Sequence, residues 1–243
     1  RLDLAFFYLD DGLIAGEVRE VGAALQHLQR RAAELGLRLK LDKCEVVAVG
    51  DVQEARLLAC LPRELLRASD GSGRVQRDLE LLGAAIGDDA YVGARTQARV
   101  EAAVPLLEAV SEIGDAQVGL RLLRHCAGHA RLVHSMRCNP PHGQAAALQQ
   151  FDTLVRDAFE GIPGLHLDAQ QLEQAARGLS HAGLRLRSTA ADAPAAYLAS
   201  VGACAKSCQE LDAQFLADGA GAAPPPLSTR VWRSLWPSRM PSP

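Results

Sequence analysis

The chain has 243 residues, of which 48% are apolar and 23% charged, and its formal net charge is -3. That length can bury one large core or two small ones, and the composition is that of a globular protein. A slightly acidic balance excludes a globally basic nucleic-acid binder, so any nucleic-acid surface must be local.

Residues 2–9 form an apolar run with Leu4, Phe6 and Tyr8 on one alternating face and Ala5, Phe7 and Leu9 on the other. This predicts a strand buried on both sides. Asp10-Asp11-Gly12 signals a tight turn, and residues 13–15 the returning strand of a β-hairpin. A helix is predicted over 17–35, with Val18, Val21, Leu25, Leu28 and Leu35 on one stripe and Gly36 as its stop. The period then changes to two: Leu37, Leu39 and Leu41 alternate with Arg38, Lys40 and Asp42, predicting a strand prolonged over 46–49. After a loop containing residues 69–73, a further short strand or hairpin is predicted over 79–92. Helices follow over 96–113 (kinked by Pro105), 116–137, 144–159, 169–177 and 194–216. Asn139-Pro140-Pro141 separates the second from the third, and Asp192 is the expected N-cap of the last. From Asp218 the Gly, Ala, Pro and Ser content predicts a disordered tail.

Six scattered cysteines, with no secretion signal before them, fit reduced intracellular thiols rather than a disulfide framework. No apolar run approaches the ~18 residues that cross a bilayer, so no membrane partner is expected. The expected setting is intracellular, with nucleus and cytoplasm not distinguished. An apolar strand starting directly after Arg1 suggests a chain that has lost what came before it.

Asp10 and Asp11 are the sharpest local feature. Asp-Gly is a hairpin signal in its own right, and adjacent carboxylates in an exposed turn repel by only ~1 kcal/mol. At the end of a strand packed on both faces the repulsion would grow several-fold unless a cation neutralised it. A hard divalent ion such as Mg²⁺ suits oxygen ligands of this kind.

The segment Phe7-Tyr8-Leu9-Asp10-Asp11-Gly12 resembles the Y-x-D-D box of reverse transcriptases, which lies on a β-hairpin of the polymerase palm. Farther on, Gly36-Leu37-Arg38-Leu39-Lys40-Leu41-Asp42-Lys43-Cys44-Glu45 resembles that family's next strand motif. Leu81-Leu82-Gly83-Ala84-Ala85-Ile86-Gly87 is similar to the hairpin that grips the primer end. Residues 120–141 and 183–200 resemble the helices that follow the palm in retroelement polymerases. The resemblance implies an α+β fold, with a partial palm over 1–93, an all-helical thumb-like region over 94–216 and a loose tail over 217–243. It implies an RNA-directed DNA polymerase using Mg²⁺ in two-metal phosphoryl transfer. Asp10 would be the main metal ligand, Asp11 would support it, and Lys43 would protonate the departing pyrophosphate. Tyr8 would shape the palm floor, and Leu82 and Gly83 would belong to the primer grip. Each also has a plain structural role open to it: Lys43 as a solvated charge, Tyr8 as packing, Gly83 as a turn. The implied partners are an RNA template with a DNA primer, a deoxynucleoside triphosphate and the amino-terminal part of the same polymerase. That part carries the other metal-binding aspartate, for which Asp3 lies too near the turn to substitute. The chain alone is therefore expected to be an inactive fragment.

No Asp or Glu lies between Asp115 and Asp152, whereas Arg121, Arg124, Arg131, Arg137 and four histidines do. On a continuous helix Arg121, Arg124, His125 and Arg131 would share one face able to track duplex phosphates. The opposite face would pack through Leu122, Leu123, Cys126, Ala130, Val133 and Met136. An ordinary solvated basic face is equally compatible. His125, Cys126, His129, His134 and Cys138 admit a zinc-stabilised interaction domain, though without the usual ligand spacing. Cys204 and Cys208 read as small core residues, and Asp88-Asp89 as a surface turn. The alternative to a polymerase fragment is a non-catalytic helical module that binds nucleic acid or protein.

Overall fold

The computed structural model describes residues 2–8, 11–50, 52–68, 70–162 and 167–211. The protein is α+β and mostly helical, with small two-stranded sheets. It divides into two compact units, one reaching to Leu79 and the other starting at Glu80. The division falls at the start of the hairpin over 79–86, earlier than the palm boundary expected at Gly93, so all of that hairpin but Leu79 groups with the helices.

In the first unit β1 (Leu4–Tyr8) pairs antiparallel with β2 (Asp11–Ala15), in a register that sets Phe7 opposite Gly12 and Tyr8 opposite Asp11. The hairpin is as expected, but its burial is not. Leu4 and Phe6 are half-buried, while Ala5, Phe7 (58% exposed) and Tyr8 (54%) face solvent. Among the described residues no third strand extends this sheet. Gly12 is required for space: a Cβ there would collide with the Phe7 ring.

α1 (Val18–Glu34) starts at Glu17, whose carboxylate accepts from the Arg19 amide at 2.8 Å and pairs with Arg56. Those two groups hold the Glu17 carboxyl below its ordinary range. At the other end Leu37 N–H donates to Ala32 O and Gly36 N–H to Ala33 O, with Gly36 at φ +74°. This is the left-handed stop that Gly36 signals. Leu25 packs with Leu57, Leu61, Leu65 and Leu66 from α2 (Glu54–Cys60), α3 (Arg63–Leu66) and the segment joining them. Neither α2 nor α3 was anticipated from the sequence.

The strand expected over 37–42 does not form. Residues 37–40 are irregular, and Leu41–Lys43 make one 3-10 turn. The Arg74 guanidinium donates to Asp42 O (2.8 Å), Cys44 O (3.2 Å) and Glu64 O (2.8 Å), clamping this turn against α3. Only β3 (Val46–Val47) is extended, pairing parallel with β4 (Val75–Gln76).

The second unit opens with a hairpin of β5 (Leu79–Leu81) and β6 (Ala84–Ile86). Asp88, expected in a surface turn, instead caps α4 (Asp89–Ser111) by accepting from Tyr91 N–H at 2.7 Å. The single helix expected over 116–137 is broken. α5 (Ala116–Leu122) runs into a π-turn (Leu123–Ala127), a 3-10 turn (His129–Arg131) and α6 (Val133–Cys138). Gly128 N–H donates to Leu123 O at 2.7 Å, and a Cβ on Gly128 would sit 2.6 Å from that oxygen. Glycine therefore both permits and marks the break. Cys126 and Ala130, expected to pack, are exposed.

α7 (Pro141–Gly161) supplies Ala147, Leu148, Phe151, Val155 and Phe159 to a core shared with Val100, Ala103, Leu107, Leu123, Leu132 and Met136. α8 (Ala169–Ala176) starts with a capping box between Asp168 and Gln171. α9 (Thr189–Leu211) starts before Asp192, so Asp192 lies in its first turn and is not its N-cap. The local cap is Ser188, whose Oγ accepts from Ala191 N at 3.0 Å, and α7 reinforces it: Asp152 accepts from Ser188 Oγ (2.6 Å), Thr189 N (2.7 Å), Thr189 Oγ1 (2.8 Å) and Ala190 N (3.0 Å). Cys204 is exposed and Cys208 half-buried, against the core role expected for both. The expected tail over 217–243 lies outside the described residues. No helix among the described residues is long and apolar enough to cross a membrane.

Two outcomes are expected in denaturant titrations. Asp152→Ala leaves buried donors at the α9 start unsatisfied and should cost about 2–4 kcal/mol, since a hydrogen bond to a charged group is worth ~1.5–3 kcal/mol. At Gly22 a Cβ would collide with the Cys60 carbonyl, and backbone cannot step aside as a side chain can. Gly22→Val should therefore destabilise by about 1–3 kcal/mol, outweighing its gain in helix propensity.

Candidate functional site

The sequence-derived site residues fall in three places. Tyr8 closes β1, exposed, beside the backbone of Asp11, which opens β2. Asp10 lies outside the described residues, and Asp11 is placed by its backbone alone. Lys43 ends the 3-10 turn that Arg74 clamps, with its side chain exposed. β1–β2 and β3–β4 are separate sheets, so these residues do not share one continuous palm sheet. Among the described residues no three His, Cys, Asp or Glu side chains gather as metal ligands. That includes the histidines and cysteines of 125–138.

Leu82 and Gly83 are the two turn residues of the β5–β6 hairpin, with φ of +48° and +78°. Positive φ at both positions gives the two-residue turn that matches strand twist. Leu82 is 51% exposed. Three side chains from the helices fix this hairpin. Arg99 of α4 donates to Gly83 O, His134 Nε2 of α6 lies 3.0 Å from Leu82 O, and Asn139 Nδ2 donates to Ala85 O at 2.6 Å. A carbonyl only accepts, so His134 carries its proton on Nε2 and its Nδ1 is an acceptor. Cys138 Sγ, 3.1 Å from that Nδ1, is the donor. Burial pushes the Cys138 thiol up, keeping its proton in place for this bond. Arg95 and Arg99 both pair with Glu80 at the hairpin's base.

Beneath the hairpin a buried polar set ties three helices together. Thr96 Oγ1 contacts Val92 O (3.0 Å) and Ser135 Oγ (3.1 Å), and Gln144 Nε2 donates to Asn139 O (2.8 Å). The sequence reading took Asn139 only as a helix breaker and missed Arg99 and His134 as supports. Their sequence separations from the hairpin carry no local signal.

The basic set does not form one helical face, because the chain turns at Gly128. Arg121 and Arg131 are exposed on α5 and the 3-10 turn. Arg124 and His125, on the π-turn, line a cleft of about 480 Å³ together with Arg137, Arg185 and Arg187. The last two were missed as functional residues. The alternation Leu184-Arg185-Leu186-Arg187 was the available signal: both leucines pack against the core, and both arginines line the cleft.

His129 is mostly buried in the same wall. Its Nε2 lies 3.0 Å from Asp192 Oδ2, yet the geometry leaves that nitrogen without a directed hydrogen bond. Burial first, then the Arg187 charge, lower the His129 pKa below its ordinary value; Asp192 and Asp152 oppose this and are outweighed.

The chain matches no protein-family model, no curated protein and no solved structure.

His129 should make stability depend on pH. The unfolded ring takes up a proton as pH falls through its ordinary value of 6.5, while the folded ring resists it. Stability is therefore lost progressively below about pH 6.5. Denaturation midpoints measured from pH 7.5 to 5 should fall more steeply in wild type than in His129→Gln. Equal slopes would show that this ring is not strained by protonation.

Proposed function

We propose that the chain is part of an RNA-directed DNA polymerase, carrying a palm segment and the helices that follow it. The observation that supports this best is the Leu82–Gly83 hairpin. It has an exposed turn held by Arg99, His134 and Asn139, and it follows the acidic hairpin, α1 and the Lys43 turn in the motif order of that family. A primer end needs a stiff, shallow ridge with backbone close to its surface, and a two-residue turn with glycine at its tip provides one. Arg121 and Arg131 would contact duplex phosphates, and Lys43 and Tyr8 would serve the nucleotide end.

Asp10 and Asp11 would hold Mg²⁺, which stabilises the transferring phosphoryl group when bound. The described residues do not themselves complete such a ligand set, so no catalytic step is assigned to this chain alone. The exposed Phe7 and Tyr8 would be covered by a further polypeptide of the polymerase, bringing the remaining metal-binding carboxylate.

A second reading, a non-catalytic module binding nucleic acid or protein, is favoured by the separation of β1–β2 from β3–β4. One set of measurements separates the two. An RNA–DNA template–primer should bind, with a log–log salt slope reduced by about 1 in Arg121→Gln or Arg131→Gln. Primer extension with Mg²⁺, in the presence of a polymerase amino-terminal part, should be abolished by Asp10→Ala. Binding without extension selects the second reading. Extension insensitive to Asp10→Ala, or no hybrid binding at all, overturns the polymerase assignment.

A further inference from the structure

The cleft is lined by four arginines, Arg124, Arg137, Arg185 and Arg187, and by one carboxylate residue, Asp192. Asp192 is already engaged, with Arg187 Nε at 2.8 Å and His129 beside it. Among the described residues no carboxylate pairs with Arg124, Arg137 or Arg185, and the buried Nε of Arg124 has no hydrogen-bond partner. An enclosed donor without an acceptor is costly unless a ligand supplies one.

Backbone irregularity occurs on both walls of this cleft. Arg124 and His125 sit on the π-turn between α5 and α6, a distortion common where side chains are re-aimed for function. Opposite them Arg185 has φ +56°, a left-handed conformation unfavourable for a residue with a Cβ. Backbone bonds from Leu184 and Leu186 to Ala175 O, at 2.9 and 3.0 Å, hold it there. Between the charged walls the lining is apolar, from Val133, Met136, Ala195, Ala196 and Ala199.

We propose that this cleft binds a small organic di- or triphosphate. The arginines would receive its phosphates through charge-assisted, forked hydrogen bonds, and the Met136–Ala196 side would receive its organic part. The volume suits a ligand of nucleotide size. A running nucleic-acid track would instead call for the outward arginines, Arg121 and Arg131, neither of which lines the cleft. The site is separate from the acidic hairpin and does not depend on the polymerase assignment.

The test is calorimetric titration of the full chain with inorganic pyrophosphate, ADP and adenosine. Pyrophosphate and ADP should bind, ADP more tightly, and adenosine should not. Arg137→Gln and Arg185→Gln, both at exposed side chains, should leave the folded circular dichroism spectrum unchanged and each weaken ADP binding about tenfold. Arg30→Gln on α1 should leave binding unchanged. Absence of binding by both phosphates, or an affinity unaltered by both variants, overturns the proposal. A chain that binds an RNA–DNA hybrid and neither small phosphate overturns the cleft and leaves the polymerase assignment standing. Pyrophosphate binding in a chain that ignores the hybrid does the reverse.

Discussion

The helical unit depends on one carboxylate reaching across from another helix. Asp152 projects from the middle of α7 and takes up four donors at the start of α9. A helix start leaves amide donors unsatisfied, and most helices meet that need with a residue of their own. Here Ser188 meets part of that need and Asp152 meets the rest from α7, so the start of α9 and the packing of α7 are one feature. It fixes where Arg187 and Asp192 lie, and through them one wall of the cationic cleft. It also explains why Thr189 is fully buried although polar.

This borrowed cap shows why some elements were legible in the sequence and others were not. β1, β2 and α1 follow from local pattern, and Gly36 ends α1 by the conformation that glycine permits. The start of α9 lies earlier than Asp192 signals because Ser188 is the local cap, reinforced by an acceptor 37 residues away in sequence. The strand expected over 37–42 failed for a related reason. Leu37, Leu39 and Leu41 do alternate, but no strand among the described residues pairs with them, and Arg74 clamps the turn that follows through Asp42 O and Cys44 O. The helix expected through 116–137 carried its own warning in Gly128, a small residue amid apolar periodicity.

The candidate site was legible to the same partial degree. Leu82 and Gly83 lie at the turn of a short hairpin within the 79–92 segment. The side chains that hold them, Arg99, His134 and Asn139, were invisible to spacing arguments. The basic cluster was correct in composition and wrong in geometry, because a π-turn and a glycine divide what a helical wheel unites. Arg185 and Arg187 joined it through an extended segment, where alternation rather than helical period sorts side chains. For the acidic hairpin, the expectation of burial on both faces was the main error: a two-stranded ribbon has too few neighbours to cover both sides.

The hairpin at Leu82–Gly83 also has a consequence for the order of assembly. Its anchors come from 16, 52 and 54 residues farther along the chain, so two of the three have no counterpart until α6 and the Asn139 corner exist. Contacts of such long range form late, after loop closure has been achieved by other means. The ridge therefore depends on a helical frame that its own short sequence does not supply. Its local opening can occur as an event of its own, without melting the hydrocarbon interior beneath it.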